Sequence, residues 1–374
     1  MGLNRKYKLG ELIRQLDERN YDNEYGVESV RGISTDKQFI DTKANMAGVK
    51  LDSYKLVHKQ EFAYVADTSR RGDKIALAYN NDEESFLISS IYTVFSIYRT
   101  DLILPEYLFM FFNRSEFDRL ARFSSWGSAR EMFSWEDLCS VQIELPSIST
   151  QQKAVNIYNG LKENLAAYES GLEDLKLTCD GFIDDLKHHA PKEKIVNLLH
   201  EVDNRNEEVG ITDVKGINID KQFMPTIAKI DESSLGKYKI VKPGQFAFSG
   251  MQTGRDCCIR IALLSGRESV IVSPAYTTLE IKENIVIPEY IMLWFSREES
   301  DRYGWFASDG SVRSNLDLDR FYGIEIPLPD IKIQRVIADI YSCYIERKRI
   351  AEELKEQLKN ICPLLLRGAI MAGN

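Results

Sequence analysis

Two long stretches of the chain carry apolar residues at alternating spacings of three and four. Between residues 150 and 189 they fall at Tyr158, Leu161, Leu165, Tyr168, Leu172, Leu175, Cys179, Phe182 and Leu186. Between residues 332 and 366 they fall at Ile337, Ile340, Tyr344, Ala351, Leu354, Leu358, Ile361 and Leu365, with Arg347 in the stripe. A seam of this period belongs to helices that pack lengthwise on one another. The matching seams predict two long helices, each ~50 Å at ~1.5 Å rise per residue, paired as an antiparallel coiled coil. Packing of each helix on its own neighbouring domain is the alternative.

Outside these stretches the pattern is that of an α/β (α+β) fold with mixed strand order. Short amphipathic helices are expected at Leu9–Leu16 and Ile195–Val202. Strand-like runs rich in β-branched and aromatic residues follow, at Phe62–Val65, Ile75–Tyr79 and Phe86–Ile97, then at Phe246–Phe248, Ile259–Leu264 and Val270–Ile281. Helices opened by proline are expected from Pro105 and Pro288. A Gly-Ser loop and a last strand, Val141–Leu145 or Gly323–Pro327, close each half.

The halves echo each other. Gly-Ile-Ser-Thr-Asp-Lys-Gln-Phe at 32–39 returns as Gly-Ile-Asn-Ile-Asp-Lys-Gln-Phe at 216–223. The neighbours return in order. Tyr54 matches Tyr238, Phe62 matches Phe246, and Ile75-Ala-Leu77 matches Ile261-Ala-Leu263. Tyr107, Arg114, Asp118 and Arg119 match Tyr290, Arg297, Asp301 and Arg302. Gly127-Ser-Ala-Arg130 matches Gly310-Ser-Val-Arg313, Ile143-Glu-Leu-Pro146 matches Ile324-Glu-Ile-Pro327, and Gln152-Lys153 matches Gln334-Arg335. A repeat this long builds two domains, each able to bury its own core. The expected organisation is a first domain at 1–149, a central helix at 150–190, a second domain at 191–330 and a C-terminal helix at 331–374.

Composition is that of a globular protein, 44% hydrophobic over 374 residues. No apolar run is long enough to span a membrane and no leader is recognisable, so a cytoplasmic chain without membrane contact is expected. The six cysteines are scattered and the four histidines offer no zinc spacing, so no metal site is expected. The net charge of −9 runs against simple phosphate-driven binding of nucleic acid. A nucleic-acid role would need a local basic surface or a partner that shares the phosphate contacts.

Catalytic motifs are missing. There is no phosphate loop, dinucleotide fingerprint or nucleophile elbow. Glu280-Ile-Lys282 has the Glu-x-Lys form of some metal-dependent nucleases, but its repeat mate Ser96-Ile-Tyr98 carries neither charge, which favours an ordinary strand face. The repeated Asp36-Lys37-Gln38-Phe39 and Asp220-Lys221-Gln222-Phe223 read as turns leading to an apolar anchor. No catalytic residues are assigned and no enzyme activity is expected of the chain alone. What differs between the halves is polar and loop-like: residues 66–74 against 249–256, and 122–126 against 305–308. Arginine, glutamine and small hydroxyl side chains suit the reading of base edges. The candidate DNA contacts are Arg70, Arg71, Lys74, Ser125, Ser128 and Arg130 in the first half, and Gln252, Thr253, Arg255, Ser308, Ser311 and Arg313 in the second. Ordinary solvated loops are the alternative.

Two diverged domains, each followed by a long helix, with Ile143-Glu-Leu-Pro-Ser-Ile-Ser-Thr-Gln-Gln-Lys153 and its echo at 324–335, resemble the specificity (S) subunits of type I restriction–modification systems. Lys8-Leu-Gly-Glu-Leu12 and the Gly-Ser-x-Arg loops are similar to the family's as well. The second domain departs from it in opening with Lys194-Ile-Val-Asn-Leu198, which leaves its start open. The resemblance implies two target-recognition domains, each reading one half of a split double-stranded DNA sequence. It implies helices that set the spacer through a seam including Leu161, Leu165, Leu172, Leu175, Leu186, Ile340, Tyr344, Leu354, Leu358 and Leu365. It implies two methylation subunits and, in the full complex, two restriction subunits. S-adenosylmethionine, ATP and Mg2+ would be bound by those partners and no cofactor by this chain. A bivalent protein-binding adaptor, or the recognition chain of a IIB-like restriction enzyme, is the alternative.

Overall fold

The computed structural model describes residues 5–67, 74–125, 131–226, 232–251, 253–310 and 314–372. It divides into two compact units, Met1–Ala167 with Ala351–Asn374, and Tyr168–Ile350.

In the first unit an antiparallel sheet runs in the order Ile13–Leu16, Thr93–Ile97, Phe62–Tyr64, Leu77–Tyr79. Its inner face stacks Phe62 on Phe95 at 5.0 Å, with Phe112 of the helix Pro105–Phe112 edge-on to both. A second, smaller layer holds the hairpin of Arg31–Ile33 and Phe39–Asp41, and the pair Lys55–Val57 with Phe86–Ile88. The second unit repeats this. Its main sheet runs Leu199–Val202, Thr277–Ile281, Phe246–Ser249, Arg260–Leu263, and its smaller one Phe223–Pro225, Val214–Ile217, Val270–Val272, Lys239–Val241. In each unit an outer pair closes the domain: Arg5–Lys8 with Gln142–Leu145, and Lys192–Lys194 with Glu325–Pro327.

Several expected elements take another form. The opening segments are one helical turn followed by a strand: Leu9–Glu11 then Ile13–Leu16, and Ile195–Leu198 then Leu199–Val202. Leu9, Leu12 and Ile13 are buried as a helix would bury them, but the backbone of 13–16 is taken by pairing with Thr93–Ile97. The run Phe86–Ile97 is two strands in different layers, separated by a turn in which Tyr92 N–H donates to Ser89 C=O. Val270–Ile281 divides in the same way at the matching turn, Tyr276 to Ser273.

The central helical segment is two helices, Ile148–Glu169 and Leu172–His189. Gly171 between them has φ +77°, a left-handed conformation that costs little only for glycine. The C-terminal helix, Ile331–Ala372, is continuous, with residues 331–350 in the second unit and 351–372 in the first. In the second unit the pairing is antiparallel. Arg347 lies over the Tyr168 ring and donates to Ser170 C=O, while Tyr344 is within electrostatic range of Lys176 and Tyr341 of Cys179. Leu161, Leu165, Leu172, Leu175, Leu186, Ile340, Tyr344, Leu354, Leu358 and Leu365 are all half-buried. Phe182 is exposed, and Ile183 takes its place in the core. Each helix also packs on its own domain. Ala154, Val155, Cys362 and Leu366 belong to the first core, and Cys179, Ile183 and Ile337 to the second.

Two buried glutamines fix where these helices begin. Gln151 Nε2 donates to Leu102 and Pro146 carbonyls, and its Oε1 accepts from Leu104 N–H. Gln334 makes the same three bonds to Ile285, Pro329 and Ile287. The true repeat mate of Gln334 is therefore Gln151, not Gln152, and Pro146 corresponds to Pro329, not Pro327.

The repeated octapeptide closes the hairpin of the smaller layer. Its lysine has φ +60° in both copies, Lys37 and Lys221, so the chain turns back and the side chain points inward. Lys37 Nζ lies 2.5 Å from Asp118 Oδ1 with 4% of the lysine side chain exposed, and Lys221 Nζ lies 2.6 Å from Asp301 Oδ1. The same carboxylate oxygens accept Ile75 N–H at 3.2 Å and Ile259 N–H at 2.9 Å. Burial pulls the Lys37 ammonium below the usual lysine range, and Asp118 opposes that shift. Removing one partner of a buried pair strands the other charge, at a cost of about 3–5 kcal/mol. Lys37→Met is accordingly expected to destabilise the first unit by about that much. Lys37→Met with Asp118→Asn, which keeps an acceptor for Ile75 N–H, should recover more than half of the loss. Urea unfolding of the full chain, followed at a probe in the first unit, measures both. A single-variant cost under about 1 kcal/mol would show that the pair is not what holds the hairpin.

Candidate nucleic-acid interface

In each unit backbone bonds join described residues that flank or belong to the two most divergent polar segments. In the first, Phe133 N–H donates to Ala66 C=O at 2.9 Å and Asp67 bridges Met132, so residues that flank the two loops run antiparallel. In the second, Leu316 N–H donates to Gly250 C=O, Gly254 N–H to Ser314 C=O and Asp309 N–H to Asn315 C=O, each at 2.9 Å. Gly250 is required there, because a Cβ would sit 1.7 Å from Leu316 O. Phe133 and Leu316, both buried, pin these clamps to the cores.

Arg70, Arg71, Ser128, Arg130, Gln252, Ser311 and Arg313 lie outside the described residues. Lys74 is exposed, with Nζ 3.0 Å from Asp36 of the hairpin turn. Ser125 donates its hydroxyl to Ala121 C=O at 2.6 Å, and Ser308 does the same to Gly304 C=O at 2.7 Å. These two serines finish matching helices, Ser115–Phe123 and Glu298–Ala307. Arg255 is exposed on the short helix Thr253–Asp256, and its Nε donates to Asp256 Oδ1 at 2.8 Å. Arg255 beside it, and Arg260 behind it, hold the Asp256 carboxyl below the usual range. Thr253 departs from the expectation of a DNA contact. It is fully buried and its hydroxyl donates to Gly250 C=O at 3.0 Å, because the clamp folds the start of this helix against the core.

Sequence reasoning missed two features. One is the Lys–Asp pair, whose four members all lay in the repeat. The other is an exposed phenylalanine in the last turn of each matching helix, Phe123 at 82% and Phe306 at 83% exposure. Each lies one turn beyond an exposed arginine, Arg119 or Arg302. A ring repeated at the surface has no core to fill, and that was the available signal. Arg122, beside Phe123, pairs with Glu131 on the far side of the loop.

The Glu-x-Lys pattern is structural. Glu280 accepts from Gln245 Nε2 at 3.0 Å, and Lys282 donates to Val196 C=O. Among the described residues, no group of three or more His, Cys, Asp or Glu is arranged to hold a metal ion. No helix among them is long and apolar enough to cross a membrane.

Residues 217–360 match the family described as type I restriction modification DNA specificity domain. No curated protein matches the chain. Among solved structures, the chain is similar to the S subunit of a type I restriction–modification system from M. genitalium, with a TM-score of 0.61 and 14% identity over 98% of this chain and 96% of that one. It also matches the HsdS subunit from Thermoanaerobacter tengcongensis, at 15% identity and a TM-score of 0.41 over 99% of this chain and 97% of that one. Residues 217–360 thus match the type I restriction modification DNA specificity domain, and the chain as a whole shares the fold of the M. genitalium S subunit.

Proposed function

We propose that this chain is the DNA-recognition subunit of a type I restriction–modification complex, in which each repeat reads one half of a bipartite target. One observation carries the reading. In both units, backbone bonds tie the edges of two divergent polar segments to a shared framework, in a chain that matches a DNA specificity domain. A fixed frame with variable loops suits a reader whose two half-sites differ. Loops at 66–74 and 122–130 would face one half-site, and loops at 249–256 and 305–313 the other.

The net charge of −9 fits a division of labour. Phosphate contacts position a protein on the duplex and base contacts specify the sequence. Here two methylation subunits would supply much of the phosphate grip together with the S-adenosylmethionine and adenine chemistry. Two ATP- and Mg2+-dependent restriction subunits would join for cleavage. The chain's own part is recognition, not catalysis, and the isolated chain is expected neither to bind S-adenosylmethionine nor to methylate DNA. A bivalent protein adaptor would leave DNA mobility unchanged with or without the methylation partner, and a IIB-like nuclease would cut DNA with magnesium alone.

Three outcomes test the proposal in the complex with methylation subunits. Arg255→Ala should weaken binding by ~1–3 kcal/mol and relax the sequence only in the second half-site. Arg130→Ala should do the same in the first. Equal loss on every DNA sequence in gel-shift titrations would make either arginine a phosphate contact. Exchanging residues 1–149 for the equivalent domain of a relative should alter one half of the methylated site, as mapped by long-read sequencing, and leave the other intact. Changes in both halves would refute independent reading. The third outcome concerns the spacer. One heptad added to each helix, near Leu172 and Leu354, keeps the seam in register and lengthens it by ~10 Å, about three base pairs at ~3.4 Å each. The methylation map should then show the same half-sites with a spacer longer by about two to three base pairs. An unchanged spacer would reduce the helices to a tether.

A further inference from the structure

The two units place a tyrosine and an arginine at matching positions behind the outer strand pair, but satisfy them differently. In the second unit Tyr290 donates its hydroxyl to Pro327 C=O at 2.8 Å. Arg297, 6% exposed, is held by Asp180 at 3.1 Å, Asp184 at 2.7 Å and Glu299 at 2.8 Å. Asp180 and Asp184 stand one turn apart on Leu172–His189, the helix packed against it. In the first unit the counterparts are Tyr107 and Arg114. Tyr107 is fully buried, and its hydroxyl has no hydrogen-bond partner. Arg114 stacks on Phe111 at 3.9 Å and donates Nε to the Phe111 carbonyl, and makes no salt bridge with any described carboxylate.

The cause lies in the C-terminal helix, whose residues 351–372 take in the first unit the place that Leu172–His189 takes in the second. Cys362 and Leu366 sit in the first core as Cys179 and Ile183 sit in the other. At that register Asp180 is replaced by Pro363 and Asp184 by Arg367. Arg367 is close enough to Arg114 for their like charges to oppose each other. Glu116, the mate of Glu299, is near enough to favour the Arg114 charge, but it makes no salt bridge with it and its buried Oε2 has no partner. The result is a cavity of about 270 Å³ lined by Lys6, Tyr107, Phe111, Arg114, Gln142 and Glu144, against the helix at Leu366 and Ile370. Glu144 is the one acid on its wall; it lies opposite Lys6 in the strand register.

We propose that this cavity receives a carboxylate from an acidic side chain of a protein partner, with the Arg114 guanidinium and the Tyr107 hydroxyl as its donors. The second unit displays the chemistry that this arginine selects: it is neutralised there by carboxylates from a packed helix. In the first unit that helix brings a cation and Glu116 stops short of a salt bridge, which leaves the guanidinium open to a carboxylate from outside the chain. The cavity accommodates one acidic side chain. Because the second unit is internally neutralised, such a partner engages the first unit only.

The test uses the full chain and a capped tetraglutamate peptide, with capped tetraglutamine as control, in titration calorimetry. Tetraglutamate should bind once per chain and tetraglutamine should not. Arg367→Asp puts an acid where Asp184 stands in the other unit. Because Arg367 is exposed, the fold tolerates the change. This variant should weaken tetraglutamate at least tenfold and raise the melting temperature of the first unit. Ala substitution of Lys74, in the candidate DNA loop, should leave peptide binding unchanged. Undiminished binding to Arg367→Asp, or no binding to the wild type, would overturn the proposal. Competition by inorganic phosphate at equal affinity would overturn it in favour of a free-anion site.

Discussion

A buried lysine–aspartate pair, present once in each repeat, is the interaction on which the rest of each unit depends. One carboxylate oxygen of Asp118 meets the Lys37 ammonium from the hairpin turn and the N–H of Ile75, where the first variable segment ends. Asp118 itself rides on the helix that leads into the second variable segment. Three pieces of chain that carry or adjoin the loops are thereby referenced to a single atom. Asp301 does the same for Lys221, Ile259 and the helix Glu298–Ala307. In a low-dielectric interior such a junction tolerates little displacement, because any separation leaves a charge without compensation.

That constraint explains how the loops diverge without loss of the frame. The hairpin, the helix and the clamp at Ala66–Phe133 or Gly250–Leu316 are held by backbone bonds and by side chains that face inward. Substitutions in the segments between them leave those bonds untouched. The buried glutamines act in the same way at the helix starts, tying the turn before each proline-opened helix to the first turn of the long one. Frame and variable surface are therefore physically separate.

The long helices serve their own domains as much as each other. Most of their seam residues are half-buried, whereas the residues that enter the domain cores, Cys179 and Ile337 of the seam among them together with Val155 and Ile183, are enclosed. The break at Ser170 and Gly171 coincides with the division of the chain into its two units at 167 and 168. The two expectations for these helices, lengthwise pairing and packing on the neighbouring domain, are thus faces of one arrangement. The exchange of Asp180 and Asp184 for Pro363 and Arg367 makes the long helices unequal in charge where they meet the two cores.

The sequence by itself determined that the chain is a duplication, that each half is an α/β domain and that long seamed helices follow each domain. Those properties rest on local periodicity and on residues repeated in order. It also marked Lys37, Asp118, Lys221 and Asp301 as shared, without showing that they meet, because partners some eighty positions apart leave no local trace. Tertiary structure alone decided the register of the repeat in its strands. Ile75 corresponds to Ile259 rather than Ile261, since both donate to the aspartate, and Pro146 corresponds to Pro329. Both of these strand mismatches are slips of two. Side chains in a strand alternate with a period of two, so such a slip keeps every residue on its own face. The same ambiguity hid the opening strands, where Leu9, Leu12, Ile13 and Leu16 fit a helical face until Thr93–Ile97 claims the backbone of 13–16. Only the hydrogen bonds of a neighbouring strand could make that choice.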